Sequence, residues 1–140
     1  MIFAQLWHVG RVSHSALQPQ KGAPLAPSAI QALNAKAFIE TGPGTGILVA
    51  PSVPRSLETG EIQELVKLYV QAAKNAIRAG FDGVEIHAAN GYLVNQFISE
   101  HANCRQDAYG GSLENRLRFL REIVQAVSAA VGANRLGVRF

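Results

Sequence analysis

The sequence predicts an α/β fold in which parallel strands are joined by long amphipathic helices. Three short β-prone apolar runs, at residues 2–7, 83–87 and 136–140, are separated by segments whose apolar residues repeat at helical spacing. A strand, a helix of about five turns and a second strand make the crossover typical of a parallel sheet. A doubly wound sheet and a β/α barrel both fit this order, and hydrophobic periodicity does not choose between them.

The first run begins almost at the start of the chain, and a loop-rich region follows it. Residues 8–57 contain all six prolines of the sequence. Within this region, the apolar residues 37–39 and 47–49 flank a Gly-Pro-Gly sequence at residues 42–44. This pattern predicts a short hairpin.

Two long helices and one short helix are expected after the loop region. Apolar residues at helical spacing predict the first over residues 61–78, with Thr59 capping its first amides. A short helix is predicted over residues 92–99, directly after the second strand. The second long helix is expected to begin after Ser112 as its cap and to end at Gly132.

Composition is that of an ordinary globular protein. Hydrophobic residues make up 48% of the 140 residues and charged residues 16%, which excludes a disordered chain. The single cysteine, Cys104, excludes an internal disulfide and fits a reducing compartment, so a cytoplasmic location is expected. No apolar run is long enough to span a membrane. The net charge is +3, and the basic residues are scattered along the sequence. We therefore expect neither a membrane nor a nucleic acid as partner.

Polar residues that can carry chemistry follow the second strand. His87, Asn90 and Tyr92 lie where that strand ends, and ligands of parallel α/β folds bind beyond the carboxyl ends of strands. His87 and Asn90 can hydrogen-bond one substrate oxygen, and Tyr92 offers a phenolic proton. The alternative is structural: His87 ends the strand, Asn90 makes a turn and Tyr92 begins a helix.

The first and third strands carry further candidates. Gln5 and Trp7 share one face of the first strand, because alternate residues point the same way. Gln5 suits the amide edge of a heterocycle, and Trp7 suits the wall of an apolar pocket. Arg139 in the third strand requires an anionic partner, which is either a ligand or the carboxylate of Glu85. The histidines and the cysteine lack metal-ligand spacing, so no metal site is expected.

Three segments of the sequence resemble the old yellow enzyme family. They are QLWHVGR at residues 5–11, GFDGVEIHAANGYL at residues 80–93 and RQDAYGGSLENR at residues 105–116. Their order is that of the family, and the resemblance extends over essentially the whole chain. Members are FMN-dependent ene-reductases built on a β/α barrel. The resemblance implies FMN as cofactor, NADH or NADPH as reductant, and a small activated alkene (an enone or a nitro compound) as substrate.

The resemblance also implies roles for the residues around the substrate. His87 and Asn90 would bind and polarise the carbonyl or nitro oxygen of the alkene. Tyr92 would protonate the α-carbon, and Trp7 would line the substrate pocket. The His-x-x-Asn pair is one of two common family versions, the other being His-x-x-His.

The remaining implications concern the cofactor and the extent of the domain. Gln5 would hydrogen-bond the pyrimidine edge of FMN, and Arg139 would stabilise negative charge on the reduced flavin. A (β/α)8 TIM barrel needs about 250 residues. Residues 1–140 are therefore expected to be the central segment of a single flavin-binding barrel domain, with about three strands and their connecting helices, incomplete at both ends. The alternative is a truncated, non-catalytic barrel fragment without stable flavin binding.

Overall fold

The computed structural model describes residues 1–140, which form seven strands and four α-helices. In chain order the elements are β1 Phe3–Leu6, β2 Leu25–Ala26, β3 Ala37–Gly42, β4 Thr45–Val49, β5 Arg55–Ser56, α1 Thr59–Arg78, β6 Gly83–His87, α2 Leu93–Ile98, α3 Leu113–Arg116, α4 Arg118–Val131 and β7 Leu136–Arg139. None of the helices combines the length and the apolar character that crossing a membrane requires.

A parallel three-stranded sheet with the order β1-β6-β7 is the centre of the fold. Strand β6 pairs with β1 from Phe3↔Gly83 onward and with β7 up to His87↔Arg139. The strand order therefore follows the chain order. The long helices α1 and α4 pack on each other and on these strands. The predicted α/β architecture with parallel strands is confirmed.

The two faces of this sheet differ in character because side chains alternate along a strand. Val84 and Ile86 of β6 are completely buried against the helices, in a core that includes Phe97 and Phe119. The other face of the sheet, which we call the open face, carries polar and aromatic side chains. Its residues are Phe3, Gln5, Trp7, Glu85, His87 and Arg139.

The predicted hairpin is present and longer than its apolar residues indicated. Strands β3 and β4 pair antiparallel from Ala37↔Val49 to Gly42↔Thr45. Pro43 and Gly44 make the turn, and Gly44 has a φ of +71°, a conformation that glycine adopts without steric cost. Strands β2 and β5 form a separate parallel pair of two residues each.

Helix α1 begins differently from the prediction. Its capping residue is Glu58, and Thr59 is already the first helical residue. The Glu61 carboxylate accepts the Glu58 backbone N–H at 2.8 Å and also receives two guanidinium hydrogen bonds from Arg55. These bonds, led by those from Arg55, lower the pKa of Glu61 to about 2. Thr59 instead directs its hydroxyl to Asp107, at 3.4 Å.

The second long helix is also divided. The Ser112 hydroxyl accepts the Asn115 N–H at 3.2 Å, as predicted for a cap. However, one turn of helix, α3, is separated from α4 by Leu117. Gly132 follows α4 with a φ of +96° and ends it, which confirms its predicted role.

The fall in the free energy of unfolding at acidic pH should depend on Glu61. Its pKa is about 2 in the folded chain against an ordinary 4.5, so its carboxylate stabilises the fold fully above pH 4.5. That contribution is lost as the pH falls toward 2. We expect Glu61→Gln to lower the free energy of unfolding by about 0.5–1 kcal/mol at neutral pH, the scale of exposed ion pairs.

Urea unfolding over a pH series measures this contribution. Glu64→Gln is the matched control, because Glu64 lies on the same helix and makes an exposed pair with Lys67. The Glu61→Gln difference should shrink toward zero at the acidic end, whereas a difference of constant size would contradict the assignment.

Candidate functional site

The candidate site lies where the three parallel strands end. His87 is the last residue of β6, Arg139 is the last residue of β7, and Trp7 follows β1 directly. Since parallel strands present their carboxyl ends at the same edge of a sheet, three distant parts of the chain meet there. Tyr92 lies close by, as the N-cap of α2.

His87 is the buried centre of this group, with 5% of its surface exposed. Its ring centroid lies 6.3 Å from that of Trp7 and 5.3 Å from that of Tyr92. The Nδ1 atom of His87 is buried and has no hydrogen-bond partner within the chain. Buried polar atoms are nearly always hydrogen-bonded, so this nitrogen is available to a partner from outside the chain, as are the unpartnered Arg11 Nε and Tyr69 Oη.

Trp7 and Tyr92 form the closest aromatic pair of the site. Their ring centroids are 4.9 Å apart, and the planes meet edge to face at 78°. This geometry is the favoured one for aromatic pairs. More than half of the Trp7 side chain, 55%, remains exposed. We call Trp7, His87 and Tyr92 the aromatic triad. The exposed part of Trp7 gives this triad an apolar surface on one side.

Asn90 lies on the same loop as His87 but is not joined to it. Its φ of +58° is in the left-handed region, which asparagine tolerates better than most residues. The exposed residue borders a groove of about 440 Å³ that Arg11 and His101 also line. No hydrogen bond links Asn90 to His87, so the structure brings the predicted oxygen-binding pair to one loop without a direct contact between them.

Gln5 and Arg139 lie on the open face below and beside the triad. Gln5 is directly opposite Glu85 and donates its Nε2 hydrogen to Glu85 Oε1 at 2.6 Å. The alternative salt bridge between Glu85 and Arg139 is absent. Arg139 is exposed, and no carboxylate of the chain lies within ion-pair distance of it. Its positive charge is free to meet an anion.

These residues fit a flat polar heterocycle such as flavin. His87 has an orphaned buried nitrogen, and Arg139 is a cation with no internal partner. On the same face, directly opposite Glu85, Gly137 has no side chain, and a Cβ added there would make ordinary van der Waals contact at 3.9 Å. The face therefore offers hydrogen-bonding groups, a positive charge and a stretch of bare backbone to a planar ligand.

A residue that the sequence reasoning missed holds the two loops of the site together. Gln96 of α2 is 1% exposed. Its Nε2 donates to the carbonyl oxygens of Val9 at 3.1 Å and Gly91 at 2.7 Å, and its Oε1 accepts the Arg11 N–H at 3.1 Å. The available signal was a glutamine between Asn95 and Phe97 in the otherwise apolar short run LVNQFI.

Neighbouring residues complete this bridge, which we call the Gln96 clamp. Leu93 N–H donates to the His8 carbonyl oxygen at 3.0 Å, and Gly10 N–H donates to His8 Nδ1 at 3.0 Å. Burial lowers the pKa of His8, which favours the neutral ring that this acceptor role needs. The loop after β1 is thereby fixed to the start of α2.

Comparisons with known proteins agree along the whole chain. The model of the NADH:flavin oxidoreductase / NADH oxidase family matches residues 1–140. The chain is 48% identical to 12-oxophytodienoate reductase 1 of Oryza sativa subsp. japonica over 140 residues, which are 100% of this chain and 34% of that protein.

Solved structures give the same result. A structure of morphinone reductase in complex with tetrahydroNAD aligns with a TM-score of 0.94 at 54% identity, over 99% of this chain and 38% of the other. An old yellow enzyme homologue from Zymomonas mobilis aligns with a TM-score of 0.90 at 44% identity, over 99% and 37%. The chain thus spans little more than a third of the length of these relatives.

Gly10 should be the least replaceable glycine of the Gln96 clamp. Its φ is +61°, and a Cβ built there would collide with the Gln96 side-chain amide. Gly44 is the matched control, because its φ is +71° and nothing lies within 4 Å of an added Cβ. Gly44→Ala should cost about 1–2 kcal/mol of unfolding free energy from backbone strain. Gly10→Ala should cost about 1–3 kcal/mol more, from overpacking.

Urea unfolding of the two variants separates strain from collision. Equal losses of stability in Gly10→Ala and Gly44→Ala would contradict a tightly packed clamp.

Proposed function

The chain belongs to the NADH:flavin oxidoreductase / NADH oxidase family, the old yellow enzyme family, and on that premise we propose that it carries the substrate end of an FMN-dependent enzyme that reduces activated alkenes with NADH or NADPH. The observation that carries this proposal is the buried, unpartnered Nδ1 of His87 within the aromatic triad. It is a hydrogen-bonding atom whose partner must come from outside the chain.

We propose further that residues 1–140 are the central segment of one flavin-binding (β/α)8 barrel domain. The strand order β1-β6-β7 and the packing of α1 and α4 on these strands are the features expected of consecutive barrel units. The chain length, little more than a third of its relatives, supports the same interpretation.

In this proposal, His87 and Asn90 bind the substrate oxygen. An enone or nitroalkene has an oxygen that gains negative charge when hydride adds at its β-carbon. Hydrogen-bond donors fixed around that oxygen lower the barrier by stabilising the charge. His87 is held by its strand and by two rings, and the exposed Asn90 would bind the oxygen from the loop that follows this strand.

Tyr92 completes the addition by giving its phenolic proton to the α-carbon of the alkene. Hydride and proton together convert the C=C bond to a single C–C bond, and the proton is replaced from water. Trp7 stacks edge to face on Tyr92 at 4.9 Å and so fixes the direction of the phenol. Its exposed indole face supplies the apolar wall for the carbon part of the substrate.

The open face would hold the cofactor. FMN, when bound, supplies the hydride chemistry that amino-acid side chains lack. Gln5, whose amide is oriented by Glu85, would hydrogen-bond the polar edge of the ring system. Arg139, with no internal carboxylate partner, would balance negative charge there.

FMN binding tests this assignment directly. Arg139→Ala should weaken FMN binding by about 10- to 150-fold, since loss of a charge-assisted hydrogen bond costs about 1.5–3 kcal/mol. Arg135→Ala is the matched control, because Arg135 lies just before the opposite end of β7 and also lacks an ion pair. Titration of the purified chain with FMN, followed by quenching of flavin fluorescence, measures both affinities.

The outcomes distinguish the alternatives. A chain that binds FMN through Arg139 supports the flavoprotein. A chain that stays colourless and melts without cooperativity favours the truncated, non-catalytic fragment instead. Equal weakening by both arginine variants would contradict the specific role of Arg139.

Tyr92→Phe should separate the two half-reactions of the FMN-loaded protein. Loss of a general acid should slow alkene reduction by about 10²–10⁴-fold. Flavin reduction by NADH or NADPH should stay nearly unchanged, because it needs no proton from Tyr92. Rapid mixing with 2-cyclohexenone measures the first rate, and rapid mixing with the nicotinamide measures the second.

Tyr109→Phe is the control for losing a phenolic hydroxyl away from the site. Tyr109 donates to Glu122 at 2.9 Å and lies against Phe97 in the core. Equal slowing of both half-reactions by Tyr92→Phe, or equal slowing by both variants, would rule out Tyr92 as the proton donor.

A further inference from the structure

We infer that Gln96 is a positioning residue that sets Tyr92 against Trp7 and thereby aims the phenolic proton. The inference rests on the proposed function for its catalytic meaning. Its geometric content, that one buried amide fixes the distance between two rings it does not touch, stands on the contacts of the chain alone.

The first step is that Gln96 joins two loops that otherwise share few bonds. One loop follows β1 and begins with Trp7, and the other runs from β6 to Tyr92. The Gln96 side chain bonds the first loop twice, at Val9 and Arg11, and the second loop once, at Gly91. All three bonds come from one amide that is 1% exposed.

The second step is that the bonds lie next to the rings. Gly91 directly precedes Tyr92, and Val9 is two residues beyond Trp7. The backbone bond from Leu93 to His8 links the same loops. The Leu93–His8 bond alone would let the two loops rotate about it. The additional Gln96 bonds fix both the distance and the angle between the loops. The edge-to-face contact at 4.9 Å therefore depends on the clamp.

The third step concerns the cost of losing these bonds, which come from a buried amide. If Gln96 is replaced by an apolar side chain, the Arg11 N–H and the Gly91 carbonyl oxygen lose the bonds from this buried amide, and the Val9 carbonyl oxygen keeps only the Val12 N–H at 3.2 Å. An unpaired group that is shielded from water is destabilising, so the loops move until water or another partner reaches it.

A second buried amide provides the matched control. Asn103 is 4% exposed, donates to the carbonyl oxygens of Phe97 and Tyr109 at 2.7 and 2.8 Å, and accepts the Arg105 N–H at 3.1 Å. It makes the same number and kind of bonds as Gln96. These bonds fix the loop before α3 and not the loops that carry the triad.

The experiment compares Gln96→Met with Asn103→Leu in the chain without any cofactor. Both changes remove a buried amide and its three hydrogen bonds to backbone groups. The readout is the set of NMR proximity cross-peaks between the ring protons of Trp7, the only tryptophan, and those of Tyr92. We expect loss of these cross-peaks in Gln96→Met and their retention in Asn103→Leu, with amide spectra of both variants still dispersed.

Two outcomes overturn the inference. Cross-peaks that survive in both variants mean that the rings hold their contact without Gln96. Cross-peaks that disappear in both mean that Gln96 acts only through general stability. If Gln96→Met does not fold, Gln96→Glu decides. An ionised glutamate keeps the acceptor for Arg11 N–H and loses both donated bonds, so the same loss of cross-peaks is expected, and their survival overturns the inference.

The measurement is independent of the proposed enzyme activity. A chain that fails to bind FMN still reports the contact between Trp7 and Tyr92. Conversely, an active FMN-loaded protein whose cross-peaks are insensitive to Gln96 keeps its function and refutes only the positioning role. In the active protein, Gln96→Met should lower the rate of alkene reduction and leave the rate of flavin reduction unchanged, whereas Asn103→Leu should alter neither.

Discussion

The in-register parallel pairing of β1, β6 and β7 is the constraint on which the site depends. Alternation sends Val84 and Ile86 to the helices and Glu85 and His87 to the open face. A shift of one residue in β6 would exchange these sets, exposing two fully buried apolar side chains and burying a carboxylate. The energetic need to keep the core apolar therefore fixes the position of His87 at the strand end.

The same register decides how the charges of the open face are arranged. Glu85 lies directly across from Gln5, whereas Arg139 lies across from His87, two residues farther along β6. The carboxylate takes the nearer amide, at 2.6 Å, and the guanidinium keeps no internal partner. A positive charge thus remains beside His87 at the end of the sheet.

Features governed by local chemistry could be predicted from the sequence, and features governed by distant contacts could not. The strand at residues 83–87 and the hairpin turn at Gly44 follow from apolar runs and from glycine. The predicted start of α1 was wrong because the Glu61 carboxylate accepts the Glu58 backbone N–H, which places the cap at Glu58. Arg55, which precedes the helix, holds the same carboxylate by a further hydrogen bond. Gln96 was missed because a polar residue in a short helix usually faces water.

The candidate site residues divide in the same way. The chemistry of His87, Gln5 and Arg139 could be proposed from their places on strands, and that of Tyr92 from the loop after β6, since strand ends converge in any parallel sheet. Their pairings could not, because the choice of Glu85 between an amide and a guanidinium depends on register across two strands. No pattern in a single strand encodes that choice.

The contrast between Gln96 and His87 explains how this part of the fold serves a ligand. Both are buried polar side chains, and an unpaired buried group costs about 1–3 kcal/mol. Gln96 has all its bonds because it holds two loops together, and this satisfied network makes them rigid. His87 Nδ1 is buried and lacks a partner within the chain. Under the proposed function, a substrate oxygen that bonds His87 would remove this penalty without having to order the loops first, which is the energetic meaning of a preorganised site.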